Sequence, residues 1–432
     1  MSETVSREFL ERHHLLARQY DPAGILSAFL DEMKKGLAGS DSSLAMIPSF
    51  IPLPERPPRN QSVIAVDAGG THIRTTLVRF DEASNPRFDY HTVHTMPGAD
   101  EELSREQFFD RLADLLEPVI GKSDRLAFCF SYPAAIDRQR DGRLLYWTKE
   151  IQAPEVVGEK ILANLEKILR HRGLPCPAHR LILNDTIAAL LAGCAATSFS
   201  PGLLYVGFIL GTGTNTAYVE SNRNILKEPD LDPAGVMAIN CETANFNRLD
   251  RGDIDQELDR ATTHPGKYVL EKMVSGAYLG PLCHRVFRKA AAEGMFSTGS
   301  GQAVEGMPEL ETDALGGILA PPPGDVGVLG HIPVGDRETI RVLADAVVER
   351  AALLTAVHMA APLIRSAQVS PAGPPHRVCL CADGSVYFML PTFRERAERY
   401  LQEILSPHGI DYSIVHVDEA TLIGTAVAGV AI

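Results

Sequence analysis

The chain has 432 residues, 45% of them hydrophobic and 22% charged, which is enough for a large core and too long for one ordinary domain, so two are expected. Its 41 basic residues fall short of its 55 acidic ones, a net charge of −14, and with no basic surplus to neutralise phosphates a nucleic-acid partner is not expected. Seven cysteines, an odd number with no CxxC pair, speak against a disulfide framework or a zinc site and for a reducing cytoplasm.

The N-terminus, MSETVSREFL, is polar and charged, unlike a signal peptide, and no apolar run in the sequence approaches the length of a membrane span, so no membrane association is expected. The first fifty residues read as helical, with Ile25, Leu26, Phe29, Leu30, Met33 and Leu37 on one apolar face. A Pro-rich polar connector at 51–62 leads into strands at 63–66, 74–80 and 88–95. A helix follows at about 106–120, strands at 125–130 and 143–147, a helix at about 154–171, and a strand ending at Asp185. This β-β-β-α-β-α-β order predicts a mixed sheet covered by helices. At 203–219 the pattern partly restarts with strand, glycine turn, strand. Helices are expected near 266–291 and 337–366, with the Gly/Pro-rich stretch 299–330 between them read as loop or partial disorder. A strand at 377–385, a helix at about 392–405, a strand near 412–417 and an apolar helix from Ala420 finish the chain.

Two stretches carry chemistry. In VDAGGTHIRTTLV (66–78) an apolar strand runs into Asp67, turns at Gly69-Gly70-Thr71 and returns. A hairpin using glycine for its turn is one reading. The other is a phosphate cradle, in which glycine N–H groups and the Thr71 hydroxyl meet an anion and Asp67 holds a hydrated Mg²⁺. Gly211-Thr212-Gly213-Thr214 stands at the corresponding place of the second half. Two such turns facing each other would grip a polyphosphate from both sides. A Walker A loop is absent, so a P-loop enzyme is not indicated.

Here the sequence resembles the hexokinases, in the short, single-unit bacterial form, within the actin, sugar kinase and heat-shock ATPase superfamily. The segments that carry the resemblance stand in family order over nearly the whole chain: GLAGSDSSLAMIPSFI (36–51), DAGGTHIRTTLV, FSYPAA with LLYWTKE (130–150), LILNDTIAALLAG (181–193), GFILGTGTNTAYVE (207–220), INCETANF with PGKYVLEKMVSGAYLG (239–280) and CADGSVYFMLPTF (381–393).

The resemblance implies two ribonuclease-H-like (actin-like ATPase) α/β domains hinged around a central cleft. The small domain would take 61–184 plus 416–432, the large domain 185–415, and a helical segment, 1–60, would pack on the latter. It implies Asp185 as general base, although a lone carboxylate between strand and helix is more often a cap. Asn184, Asn215, Glu242 and Glu271 would bind the sugar, a task suited to amides and carboxylates that pair with adjacent hydroxyls; Glu271 also reads as a charge opening a helix. Ser131, Tyr132, Pro133, Thr148 and Lys149 match small-domain sugar contacts, and Lys149 would bring a cation to the transferring phosphoryl group, unless it is a surface lysine. Gly69, Gly70, Thr71, His72, Arg74, Gly211, Thr212 and Gly213 would hold phosphates, Asp67 would reach Mg²⁺ through water, and Gly384 and Ser385 would lie by the nucleoside.

The pattern departs from the family at His72, at Cys241 and Thr243-Ala244 and at Glu419–Gly424, and 299–330 has little likeness to it. The implied activity is phosphorylation of a hexose, glucose foremost, at its 6-hydroxyl by Mg-ATP, the first step of glycolysis. A cytoplasmic monomer or homodimer is expected. A kinase for another hexose or an amino sugar, and a non-catalytic sugar sensor on the same fold, stay open as alternatives. Trp147, the only tryptophan, is expected on a strand at the cleft lip.

Overall fold

A computed structural model of the chain describes residues 3–54, 56–147, 151–320, 330, 332–370 and 376–432. The chain opens with α1 (Glu3–Arg12) and α2 (Pro22–Ala38), followed by a two-residue strand, β1 (Ile47–Pro48). At the start of α2 the Asp21 side chain accepts from Ala23 N, and Pro22 brings its preset φ to the first turn.

The first unit runs β2 (Gln61–Gly69), β3 (His72–Phe80), β4 (Pro86–Thr95), α3 (Arg105–Leu116), β5 (Arg125–Phe130), a small hairpin of β6 (Ala134–Ile136) and β7 (Gly142–Leu144), α4 (Ile161–His171) and β8 (His179–Leu183). Its sheet has the order β4-β3-β2-β5-β8, antiparallel among the first three and parallel from β2 to β8. Val63 to Ala68 of β2 are all buried, as expected of a central strand covered on both faces. Helix α5 (Asp185–Ala196) then leads into the second unit.

That unit runs β9 (Leu203–Leu210), β10 (Thr214–Ser221), β11 (Val236–Asn240), α6 (Asp253–Ala261), α7 (Val269–Val274), α8 (Leu279–Ala292), α9 (Thr298–Gly306), α10 (Leu315–Leu319), α11 (Val334–Val369), β12 (His376–Asp383), α12 (Ser385–Met389), α13 (Phe393–Leu405) and β13 (Ile410–Val415). Its sheet repeats the first, in the order β11-β10-β9-β12-β13 with β1 added beyond β11. The last helix, α14 (Ala420–Val430), returns to the first sheet and packs on β2, β5 and α5.

The layers follow from which faces are apolar. Phe108, Phe109, Leu112, Leu162 and Leu165 of α3 and α4 cover the outer face of the first sheet. Between the sheets lie α5 and α14, in a core that joins Val63, Ala127 and Leu181 to Tyr205, Ala217 and Cys379. On the outer face of the second sheet α11 packs with α1, α2, α8 and α13 in the largest core.

Several sequence expectations change here. Among the described residues α11 is the one helix long and apolar enough to cross a membrane, which the sequence reading had not anticipated; its most apolar stretch is 94% buried inside the protein, as befits a core helix. The expected strand 143–147 ends at Leu144, because Trp147 turns into the α3–β5 core, with its Nε1 donating to the Ala153 carbonyl at 2.6 Å. The helix expected at 154–171 divides into a 3₁₀ turn (Pro154–Val156) and α4. The helix expected at 266–291 is broken between Val274 and Leu279, where Gly276 N and Ala277 N donate to the carbonyls of Gly211 and Thr212 at 2.8 and 3.0 Å. Residues 299–320 are largely helical, because Val304, Leu315, Ile318 and Leu319 are spaced to bury on the core; 321–329 lie outside the described residues.

Candidate active site

Both sheets present their first hairpin to the same side. In the first, Gly69 pairs with His72 around the turn Gly70-Thr71; in the second, Leu210 pairs with Thr214 around Gly211-Thr212-Gly213. Gly211 N donates to the Gly213 carbonyl at 3.0 Å, which closes that turn. The broken helix α7–α8 props it from behind through Gly276 and Ala277.

A pocket of ≈ 250 Å³ is lined by Asp67, Gly69, His72, Arg74, Ser131 and Asp185, together with Ile209, Asp383 and Thr421. The Arg74 Nε donates to Asp67 Oδ2 at 2.9 Å. Burial, aided by the nearby Asp185, raises the Asp67 carboxyl above its ordinary range, while Arg74 opposes the rise. Thr71 is exposed at the hairpin tip, its Oγ1 3.2 Å from His72 Nδ1. Ser131 follows β5 and its N–H donates to the Ala68 carbonyl at 3.0 Å. Tyr132 is buried, and its hydroxyl donates to the Gly70 carbonyl, so it supports the hairpin from the core. The Pro133 carbonyl accepts from Leu145 N at 2.9 Å. Thr148 and Lys149 lie outside the described residues.

Asp185 opens α5 one residue after the N-cap. The Asn184 side-chain oxygen accepts from Thr186 N at 2.9 Å and starts the helix, which sets Asp185 in the first turn, where the helix end favours an anion. With its oxygen so engaged, the Asn184 amide has N–H donors left to offer. Asn215 Nδ2 donates to Asn240 Oδ1 at 2.7 Å, and Asn240 Nδ2 donates to Glu242 Oε1 at 2.7 Å. Asn184, Asn240 and Glu242 also line a narrow void of ≈ 20 Å³ beside Tyr132. Burial raises the Glu242 carboxyl and Asp185 adds to the rise, against the Asn240 bond. Glu271 Oε2 accepts from Thr214 N at 3.1 Å, and a Cβ on Gly213 would fall 2.6 Å from that oxygen, so any larger residue there would push the carboxylate aside. Tyr146 and Tyr268 join hydroxyl to hydroxyl between the segment after β7 and the start of α7.

Thr212 and Ser385 line a larger pocket of ≈ 630 Å³ with Gly276, Glu311, Thr312, Asp313, Gly316 and Met389. Gly384 takes φ +116, and a Cβ there would fall 2.2 Å from the Leu210 carbonyl oxygen, so this position requires glycine where β12 ends against the second phosphate turn.

Sequence reasoning missed Asp383, Thr421, Thr186, Thr243 and the lining from 311–316. Asp383 stood within the quoted CADGS motif and was legible there. Thr312, which donates to the Gly276 carbonyl and accepts from Gly280 N at 2.8 Å, lay in the stretch with least family likeness.

Residues 8–195 and 205–431 each match a family model described as hexokinase. Hexokinase-2 of Oryza sativa subsp. japonica is 30% identical over 425 residues, covering 88% of this chain and 82% of its own. Hexokinase-2 of Candida albicans is 28% identical over 416 residues, with the same coverage, 88% and 82%. Among solved structures, a hexokinase from Schistosoma mansoni complexed with glucose covers 100% of both chains with a TM-score of 0.80 at 24% identity, a likeness of fold.

Proposed function

The chain belongs to the hexokinase family, and on that premise we propose that it transfers the γ-phosphoryl group of Mg-ATP to the 6-hydroxyl of glucose, with Asp185 taking the hydroxyl proton. That it is an ATP-dependent hexose kinase follows from its family; the particular hexose and the residue roles are argued from the site.

One observation carries the assignment. Asp185 lines the same pocket as the Asp67–Arg74 hairpin and Asp383, while its neighbour Asn184 borders the void beside Asn240 and Glu242. A base thus stands between groups suited to phosphate and groups suited to hydroxyls. The amide and carboxylate set of Asn184, Asn215, Glu242 and Glu271 offers donors and acceptors in pairs, so a hexose lacking a hydroxyl leaves one of them unpaired. The larger pocket at Thr212 and Ser385 has room for a nucleoside, with the triphosphate running between the two glycine turns.

Magnesium suits this arrangement as an ion that arrives on the phosphates. Among the described residues no three His, Cys, Asp or Glu side chains gather to hold a metal alone. Asp67 Oδ2 serves Arg74, and Oδ1 lies 3.7 Å from where a Gly69 Cβ would stand. A single carboxylate acting through water is a common protein share of a Mg²⁺ site shared with a nucleotide. The ion would neutralise charge on the transferring group.

We place the small lobe at 61–184 with 416–432, and the large lobe at 185–415 with 1–60 packed on it. The seven thiols are all unpaired and six are buried, which suits the cytoplasm. A coupled ADP-release assay over glucose, mannose, fructose and N-acetylglucosamine tests the proposal. Turnover led by glucose is the expected result. Sugar binding without ADP release from any of the four would overturn it in favour of a sugar sensor, and preference for N-acetylglucosamine would change the substrate.

A further inference from the structure

His358 lies in α11, fully buried. The rings of Phe29 and Phe208 flank it, with centroids at 6.0 and 5.4 Å. Its polar contacts are with two threonines: Nε2 lies 2.6 Å from Thr243 Oγ1, and Nδ1 lies 3.5 Å from Thr214 Oγ1. Burial pushes the imidazole down to about 3, so it is neutral and carries one N–H.

The Thr214 hydroxyl donates to the Ile209 carbonyl at 2.9 Å, so toward His358 Nδ1 it can only accept, which puts the ring proton on Nδ1 and leaves Nε2 to accept from the Thr243 hydroxyl. Asn215 Oδ1 accepts from Thr216 N at 2.8 Å and from Thr243 N at 3.1 Å, and both donors are backbone amides that cannot reverse. The amide oxygen of Asn215 therefore faces Thr243. The Thr243 hydroxyl lies 3.3 Å from the same oxygen, farther than its 2.6 Å contact with His358 Nε2. Asn215 Nδ2 is thereby turned toward Asn240 Oδ1 at 2.7 Å, with Thr186 Oγ1 at 3.4 Å. Asn240 Nδ2 in turn reaches Glu242 Oε1 at 2.7 Å.

We infer that His358 and Thr243 are positioning residues for the sugar: His358 pins the Thr243 side chain, and the Thr243 backbone N–H in turn helps hold the Asn215 oxygen, so that Asn215, Asn240 and Glu242 keep their hydroxyl-reading orientation. Reversing the Asn215 amide would set it against two fixed donors and leave Glu242 without its partner. Buried unpaired groups of that kind are costly. The inference rests on the reading that Asn215 and Glu242 bind the sugar.

The test uses the full-length enzyme with Asn215→Ala, Thr243→Val, Thr243→Ser, His358→Leu and His358→Gln, each assayed for sugar KM, nucleotide KM, kcat and melting temperature. Thr243→Val keeps the core volume and removes one hydroxyl. It should raise the sugar KM about tenfold, the scale of one broken buried hydrogen bond, with little change in nucleotide KM. Thr243→Ser should restore the wild-type sugar KM. His358→Leu should act as Thr243→Val does, His358→Gln, whose amide oxygen can still accept from the Thr243 hydroxyl, should recover much of the loss, and combining His358→Leu with Thr243→Val should add little. An unchanged sugar KM in Asn215→Ala would overturn the sugar-site reading and the positioning role with it. A raised KM in Asn215→Ala beside an unchanged one in Thr243→Val would overturn the positioning role alone. So would parallel rises in sugar and nucleotide KM that follow the melting temperature.

Discussion

Arg74 and Glu419, 345 positions apart in the chain, meet at the mouth of the phosphate pocket, where Arg74 Nη1 donates to Glu419 Oε2 at 2.7 Å. The same guanidinium holds Asp67 through Nε. Glu419 thus competes with a bound phosphate for the cation and adds a negative charge beside it. Both side chains are partly exposed, and such pairs are worth roughly 0.2–1 kcal/mol, a factor of about 1.4 to 5. Glu419→Gln should lower the Mg-ATP KM by about that factor, less so at high salt. A higher KM would show instead that Glu419 aims Arg74.

Asp185→Ala should lower kcat by on the order of 10²–10⁴ while sugar binding, measured by calorimetry, largely survives. Near-normal turnover would remove Asp185 from the role of base.

Thr212 lines the nucleotide-sized pocket, at the turn fastened by Gly276 and Ala277. Thr212→Val should raise the nucleotide KM and leave glucose affinity mostly intact. Loss of sugar binding alone would place the turn in the other subsite.

The buried His358 also bears on acid stability. Its folded value, about 3, lies below the ordinary 6.5, so between these values the unfolded chain binds the extra proton. Its contribution to stability is complete above about pH 6.5 and is lost as pH falls toward 3, at up to roughly 1.4 kcal/mol per pH unit. Urea unfolding at pH 7 and pH 5 should show His358→Gln losing less stability over that interval than the wild type. An equal loss in both proteins would mean that His358 is charged or solvated.

Trp147 packs edge-on against Tyr132 at 5.0 Å and beside Phe108 at 5.4 Å, with its indole N–H bonded to Ala153. It is half-buried and anchored within the first unit, one residue after Tyr146, whose hydroxyl meets that of Tyr268. Tryptophan emission should therefore change little on saturation with glucose, even as activity proceeds. A large saturable shift would show that this cluster rearranges when sugar binds.

Much of the site was legible because its geometry is local. Gly69-Gly70-Thr71 and Gly211-Thr212-Gly213 are turns within single hairpins, and Asp185 follows an apolar strand by two residues, so strand period and turn chemistry place them without reference to the rest of the chain. Tyr132 was less legible. A tyrosine beside a predicted sugar loop gives no sign in sequence of whether its hydroxyl faces ligand or, as here, the Gly70 carbonyl.

By itself the sequence determined the two repeated strand-turn-strand units, the helices whose apolar residues recur on one face, and the family to which the whole pattern points. These depend on neighbours a few residues apart, where propensity and periodicity act directly. Only the tertiary structure decided where α7 breaks from α8, since that break serves the carbonyls of Gly211 and Thr212, more than sixty residues earlier. It alone decided that α11 is a buried core helix, that Glu419 meets Arg74, and that His358 faces Thr243. Each of these is a contact between distant segments, and a donor or a charge finds its partner only after the sheets have stacked and water has been excluded from between them.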